Sequence, residues 1–224
     1  RAMDMLPDID AKELQSIAGR VGAVRMAVRV APLLCWSLHK EAPAWIRALA
    51  QEPEAASECL RQTLGFIVAH LEECNGSEFW ERSTGLVLAG DAGDMGSGGI
   101  VVWPKGLGVP PMQTSYTEEE MRGIKDHSLH STIREVRNVR GSVQWVCEEK
   151  RLKERTKEGQ VLYLTDNQAT CDAIMALCTK SRAVMDAVWD IWAMAREHKI
   201  QISVRWCSRE NPRLKAADGH TRMP

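Results

Sequence analysis

Two apolar runs that each end on an aspartate constrain this fold more than anything else in the chain. The first, Gly85-Leu-Val-Leu-Ala-Gly-Asp91, leads through a glycine-rich turn into a second expected strand over 98–103. Gly96, Gly98 and Gly99 suit a tight hairpin between two strands, because a residue without a Cβ tolerates positive φ. The second run, Val161-Leu-Tyr-Leu-Thr-Asp166-Asn167, follows Gly159. A carboxylate closing a buried strand is costly to desolvate unless a charge or a hydrogen bond meets it. If the two strands lie parallel and adjacent, their ends bring Asp91 and Asp166 together at the carboxyl edge, where ligands of open α/β sheets sit.

The rest of the chain sorts around these strands. Over residues 11–40, Leu14, Ile17, Val21, Val24 and Val28 form one helical stripe that Pro32 kinks or splits. A second helix is expected over 54–73, after Pro53, with a boundary at Asn75-Gly76. From Thr84 the pattern turns to mixed α/β. The segment 104–130, rich in Pro and Gly and then polar, holds a third strand and a long loop. Ser131 is an expected N-cap for a helix to about Lys150 with Ile133, Val136, Val139, Val143 and Val146 on one face. At about 100° per residue Glu135 falls at the edge of that apolar face, an odd place for an acid. A short helix over 168–180 and a second one capped by Ser181 follow. Ile200, Ile202, Val204 and Trp206 then alternate with polar residues as in a strand with one covered face. Lys215-Ala-Ala-Asp218 reads as the first turn of a last helix. The expected fold class is therefore α/β, a mixed five-stranded sheet flanked by helices and preceded by a small helical segment.

The 224 residues contain no apolar run of the ~20 residues needed to cross a bilayer, and no signal-peptide pattern. The start at Arg1 points to a piece of a longer protein. Seven dispersed cysteines without zinc-like spacing read as free thiols of an intracellular protein, cytoplasmic or nuclear. A Cys171, Cys178 and His198 metal site is the weak alternative. The formal net charge of −1 is no footprint of a nucleic-acid binder. Locally, residues 196–222 carry seven Lys/Arg against three acids. Arg134, Arg137 and Arg140, and Arg151, Lys153, Arg155 and Lys157, form two more basic clusters. A solvated face is the ordinary reading of each.

Asp91, Glu135, Asp166 and Asp218 each stand where no structural acid is required. Any one of them has a bland account: Asp91 or Asp166 could cap a turn, and Glu135 could be a tolerated edge acid. Asp94 competes with Asp91 but lies in the turn, where aspartate is common. Together the four point to a cation, since clustered carboxylates repel one another unless neutralised. Hard divalent ions with oxygen ligands, Mg²⁺ first, answer that need.

The motifs that carry these acids resemble a known family. Asp91-Ala-Gly-Asp-Met-Gly-Ser-Gly-Gly is similar to the first strand motif of retroelement ribonuclease H domains, D-A-S-x-x-G-x-G. Ser131-Thr-Ile-Arg-Glu135 resembles the helix with the second carboxylate. Leu164-Thr-Asp166-Asn167-Gln-Ala169 resembles T-D-N/H-x-A. The run from Arg209 through Asn211, Ala217 and Asp218 to Arg222 is similar to N-x-x-A-D-x-x-S-R. Four motifs in order cover roughly residues 84–222. Upstream, Glu13-Leu-Gln-Ser-Ile-Ala-Gly19-Arg-Val resembles the thumb or connection of a DIRS-like reverse transcriptase, and His70-Leu-Glu-Glu-Cys-Asn-Gly76 its linker. Three departures stand out. Gly93 replaces a serine, the stretch between Asn211 and Asp218 is long, and the histidine many members carry before the last acid aligns with Trp206, with His198 and His220 out of register.

The resemblance implies a helical thumb or connection segment over 1–82 and a ribonuclease H-like domain over 83–224. It implies an endonuclease that hydrolyses the RNA strand of RNA/DNA hybrids with two Mg²⁺, or Mn²⁺ in their place, held by Asp91, Glu135, Asp166 and Asp218. Its partners would be the hybrid and the rest of the reverse transcriptase polyprotein, with no membrane. Asn167, Arg134, Arg205, Arg209, Asn211 and Arg213 are the expected nucleic-acid contacts. The alternatives are a non-catalytic connection module of the same fold, and an integrase or transposase core, against which the Asn211 to Asp218 segment argues. Trp189, Trp192 and Trp206 could stack on bases but read first as core.

Overall fold

The structure, a computed structural model, describes residues 11–24, 28, 31–51, 53–74, 83–157 and 159–221. The chain divides into two compact units, Arg1–Trp80 and Glu81–Pro224. The expected boundary at Asn75-Gly76 lies outside the described residues, as does Arg222.

The first unit is helical: α1 (Ala11–Ala23), α2 (Ala31–Gln51) and α3 (Pro53–Cys74). Pro32 does split the expected long helix, and it sits in the first turn of α2, where its missing N–H has no intrahelical partner to lose. Leu14 and Ala18 of α1, Leu34 and Leu38 of α2, and Leu60, Leu64 and Ile67 of α3 are buried. The stripe breaks at Val24, which is exposed just past the end of α1 at Ala23, although Val28 beyond it is buried.

The second unit is an α/β sheet flanked by helices. Its elements are β1 (Thr84–Ala92), β2 (Gly96–Trp103), β3 (Met112–Ser115), α4 (Glu118–Lys125), α5 (Ser131–Glu148), α6 (Lys150–Thr156), β4 (Gln160–Thr165), α7 (Gln168–Ala176), α8 (Arg182–Glu197), β5 (Ile202–Trp206) and α9 (Pro212–Asp218). The five strands lie in the order β3-β2-β1-β4-β5. β1–β2 and β2–β3 are antiparallel, while β1–β4 and β4–β5 are parallel, so the sheet is mixed and the two aspartate-ended strands are neighbours.

Both faces of the sheet are covered. Leu214 and Ala217 of α9 pack on Val87 and Ala89 of β1 and Leu164 of β4. Val136, Val139, Val143 and Val146 of α5 are buried as their spacing requires, as are Val184, Val188, Ile191 and Ala195 of α8. Four expectations need correction. Ser131 is the first helical residue of α5, preceded by His130, which gives no side-chain cap. The alternation in β5 holds only in part: Ile200 and Val204 are buried, but so is Ser203, and Trp206 is 52% exposed at the far end of an edge strand. Asp218 ends α9 rather than opening a helix, because Asn211 caps the helix and Pro212 starts it. The long Asn211–Asp218 stretch is thus a helix. The polar segment after β3 also holds α4, started by a Thr117–Glu120 capping box and without a buried residue.

Candidate metal centre

Three elements deliver the acids. Asp91 is the penultimate residue of β1, and Asp166 directly follows β4. The β1–β4 register pairs Ala89 with Leu164, and two more residues along it set Asp91 level with Asp166. Glu135, in the second turn of α5, is only 4% exposed. Carboxylate oxygens of Asp91, Glu135 and Asp166 lie within 4.8 Å of one another, and among the described residues this is the one group of His, Cys, Asp and Glu close enough to share an ion. Asp218 borders the same cleft, near enough for its charge to bear on Asp91, but it stands outside the tight trio. The cleft holds about 980 Å³.

The trio is under electrostatic load. Glu135 Oε1 accepts from the backbone N–H of Ala92 at 3.2 Å, while its Oε2, equally buried, has no partner. Burial first, and then the charge of Asp91, push the Glu135 carboxyl well above the usual carboxylate range. Asp91 moves the same way, through burial and then through Asp166 and Asp218, with Arg209 opposing. Arg209 pairs directly with the trio: its Nε donates to Asp166 Oδ2 at 2.6 Å, and its own pKa is raised chiefly by that bond. Arg209 remains largely exposed above a mostly buried Asp166.

The donor set fits a hard divalent cation. All of the converging atoms are carboxylate oxygens, and Glu135 carries a buried acceptor, Oε2, that no protein group satisfies. The Cys171, Cys178 and His198 alternative finds no such convergence among the described residues, and Cys35, Cys147, Cys171, Cys178 and Cys207 are free thiols. Asp94 is set aside too, since its exposed carboxylate pairs with Arg134.

The expected nucleic-acid contacts divide into two groups. Arg134 turns inward, its Nη1 donating to the carbonyl of Gly93 at 2.7 Å and to Asp94 Oδ1 at 2.8 Å, so it clamps the β1–β2 turn. Asn167 caps α7 by accepting from the N–H of Thr170. Asn167 lines the cleft beside Asp166 all the same. Asn211 caps α9 through the N–H of Arg213. Arg205, Arg209 and Arg213 are exposed along the C-terminal stretch. Two arginines of the second basic cluster are in ion pairs, Arg137 with Glu120 and Arg140 with Asp190. Trp189 and Trp192 pack on each other at 5.2 Å between centroids.

No histidine lines the cleft among the described residues. The aligned Trp206 instead donates its indole N–H to the carbonyl of Asp166 at 2.9 Å, fixing the backbone of that acid. Neither this contact nor the Arg134 clamp was visible in the sequence, because both partners come from distant segments. Asn138 was missed as well, although its place one helical turn after Glu135 was a signal. No model of a known protein family matches the chain, and no curated protein matches it.

Proposed function

We propose that the sheet unit is a ribonuclease H-like endonuclease that cuts the RNA strand of RNA/DNA hybrids, and that the helical unit before it is the thumb or connection segment of a retroelement reverse transcriptase. The observation that carries the reading is the trio of carboxylates from two strand ends and a helix, with a buried, unpartnered Glu135 Oε2. The order of the motifs around Asp91, Glu135, Asp166 and Asp218 supports it.

Asp91, Glu135, Asp166 and Asp218 would hold the ions. Two divalent ions bound there would supply an activated water and stabilisation of the leaving oxygen in an in-line phosphodiester displacement. Glu135, walled off from water, keeps one ligand oxygen preorganised for a cation rather than for solvent. Arg209 balances the charge of Asp166 and, being exposed, reaches the phosphate backbone, with Arg205 and Arg213 on the same stretch. Such contacts position the duplex without reading its sequence. RNA is told from DNA by its 2′-hydroxyls in the wide minor groove of an A-like hybrid. Arg134, Asn167 and Asn211 act as supports of the cleft walls.

Labelled RNA/DNA hybrid, double-stranded RNA and double-stranded DNA, each incubated with and without Mg²⁺, test the reading. The expected result is Mg²⁺-dependent cleavage of the RNA strand in the hybrid alone. Hybrid binding without cleavage would replace this reading with the connection-module one, and cleavage of double-stranded DNA would replace it with the integrase-like one.

A further inference from the structure

Directly behind the three acids lies a second set of buried polar groups that the reaction does not touch. Glu135, Asn138 and Ser142 recur at helical spacing on α5, and Asn138 and Ser142 are each 1% exposed. Asn138 Nδ2 donates to the carbonyl of Asp91 at 2.8 Å and to the carbonyl of Gly98 at 3.1 Å, and it lies 3.1 Å from Tyr163 Oη. Asp91 and Gly98 are partners in the β1–β2 ladder. The two carbonyls fix which way the amide points, since a reversed amide would press its own oxygen against both. Tyr163 rises from β4, three residues before Asp166, and is 1% exposed. Its hydroxyl also meets Ser142, and burial keeps it un-ionised.

The arrangement depends on a gap in β1. A Cβ at Gly90 would overlap the Tyr163 hydroxyl and stand 2.9 Å from Asn138 Nδ2. The glycine preceding Asp91 therefore makes room for a polar tie that runs from α5 through β1 and β2 to β4. Packing alone would be served by apolar side chains, which carry no desolvation penalty; a buried amide and phenol need a reason.

We infer that Asn138 and Tyr163 are positioning residues of the metal centre, fastening the backbone of Asp91 to the helix that carries Glu135 and the strand that carries Asp166. The spacing of the three carboxylates is set through this tie. The inference rests on the reading of those acids as metal ligands.

The test titrates the full 224-residue chain with Mn²⁺ alone by calorimetry, alongside hybrid cleavage and thermal melts. Asn138→Ala is expected to weaken Mn²⁺ binding by about tenfold or more, and Tyr163→Phe by roughly threefold, as removal of groups that orient ligands does. Asn138→Ser, which restores one donor, recovers part of the loss. Val143→Ala, a buried truncation on the same helix, lowers the melting temperature but leaves Mn²⁺ affinity near that of the parent. The proposal is overturned if Asn138→Ala and Tyr163→Phe bind Mn²⁺ as the parent does while losing only thermal stability. Should Asn138→Ala fail to fold, Tyr163→Phe, which removes one oxygen and opens little space, decides by the same comparison. A parent that binds Mn²⁺ but cuts no hybrid overturns the proposed reaction and leaves the Mn²⁺ affinities to judge the tie. A parent that binds no Mn²⁺ overturns both.

Discussion

At the scale of single residues, Glu135 is the group under most strain. Its carboxyl is buried, one oxygen has only a backbone N–H and the other has nothing. Both Glu135 and Asp91 have their ionisation raised by burial and by neighbouring acids. The sign of the linkage follows. In the metal-free protein the folded state keeps protons that the unfolded chain gives up in the ordinary carboxylate range. These two groups therefore favour the folded state fully at pH values below that range, and their contribution is lost as pH rises through the raised values. A divalent ion takes over the role of those protons. Thermal melts in EDTA and in Mn²⁺, at about pH 5.5 and about pH 8.5, should show a larger gain from Mn²⁺ at the higher pH. An equal gain at both values, or none, would remove the acids from the account as metal ligands. Asp91 and Asp166 were legible in the sequence because an apolar run ending on an acid has no structural need for it. Glu135 was legible through its place beside Val136 and Val139. Tyr163 was not, since a tyrosine in an apolar strand reads as core until its hydroxyl is seen to meet Asn138.

At the scale of elements, α9 is the decisive piece. Its seven residues are too few to hold a helix alone, so it stands on its Asn211 cap, on Pro212 at its start and on Leu214 and Ala217 packed against β1 and β4. It carries Asp218 at its last turn, where a negative charge opposes the helix dipole rather than gaining from it. The Asp218 carboxylate accepts a long 3.4 Å bond from the Thr221 hydroxyl and borders the cleft. Asn211→Ala should cost about 1 kcal/mol in urea unfolding, with Asn211→Ser close to the parent. No change in the unfolding midpoint would mean that the cap does not hold the helix. Lys215 does not start this helix: Asn211 caps it, Pro212 opens it, and the Ala216-Ala217 pair falls in its second half. α4 has no buried residue and so leaves no apolar stripe in the sequence, even though Thr117 and Glu120 announce its start. β5 ends with Trp206 exposed, its indole N–H on the carbonyl of Asp166.

At the scale of the molecule, a sheet of three antiparallel-linked and two parallel strands brings together acids that lie 75 residues apart in the chain at Asp91 and Asp166. The strand order could be anticipated only in part. Parallel pairing of the two aspartate-ended strands stood in the sequence only as a condition, which the β1–β4 ladder meets, and the place of β5 beyond β4 was not anticipated. The basic clusters, conspicuous in sequence, are partly consumed by ion pairs such as Arg137–Glu120 and Arg140–Asp190. Arg205, Arg209 and Arg213 of the C-terminal stretch are exposed, as are Arg151, Lys153 and Lys157 of the third cluster. No described helix is long and apolar enough to cross a membrane. The central claim is that the carboxylates form a working metal centre, and it is tested most directly by Asp91→Asn. The parent and this variant are compared for cleavage of an RNA/DNA hybrid in Mg²⁺, with hybrid binding measured on the same samples. The account predicts a loss of cleavage of roughly a thousandfold, about 4 kcal/mol in the barrier, with hybrid binding retained. Stability without metal should hold or rise, because a buried, crowded charge is removed. If Asp91→Asn cuts the hybrid as fast as the parent, the metal centre is not where this account puts it.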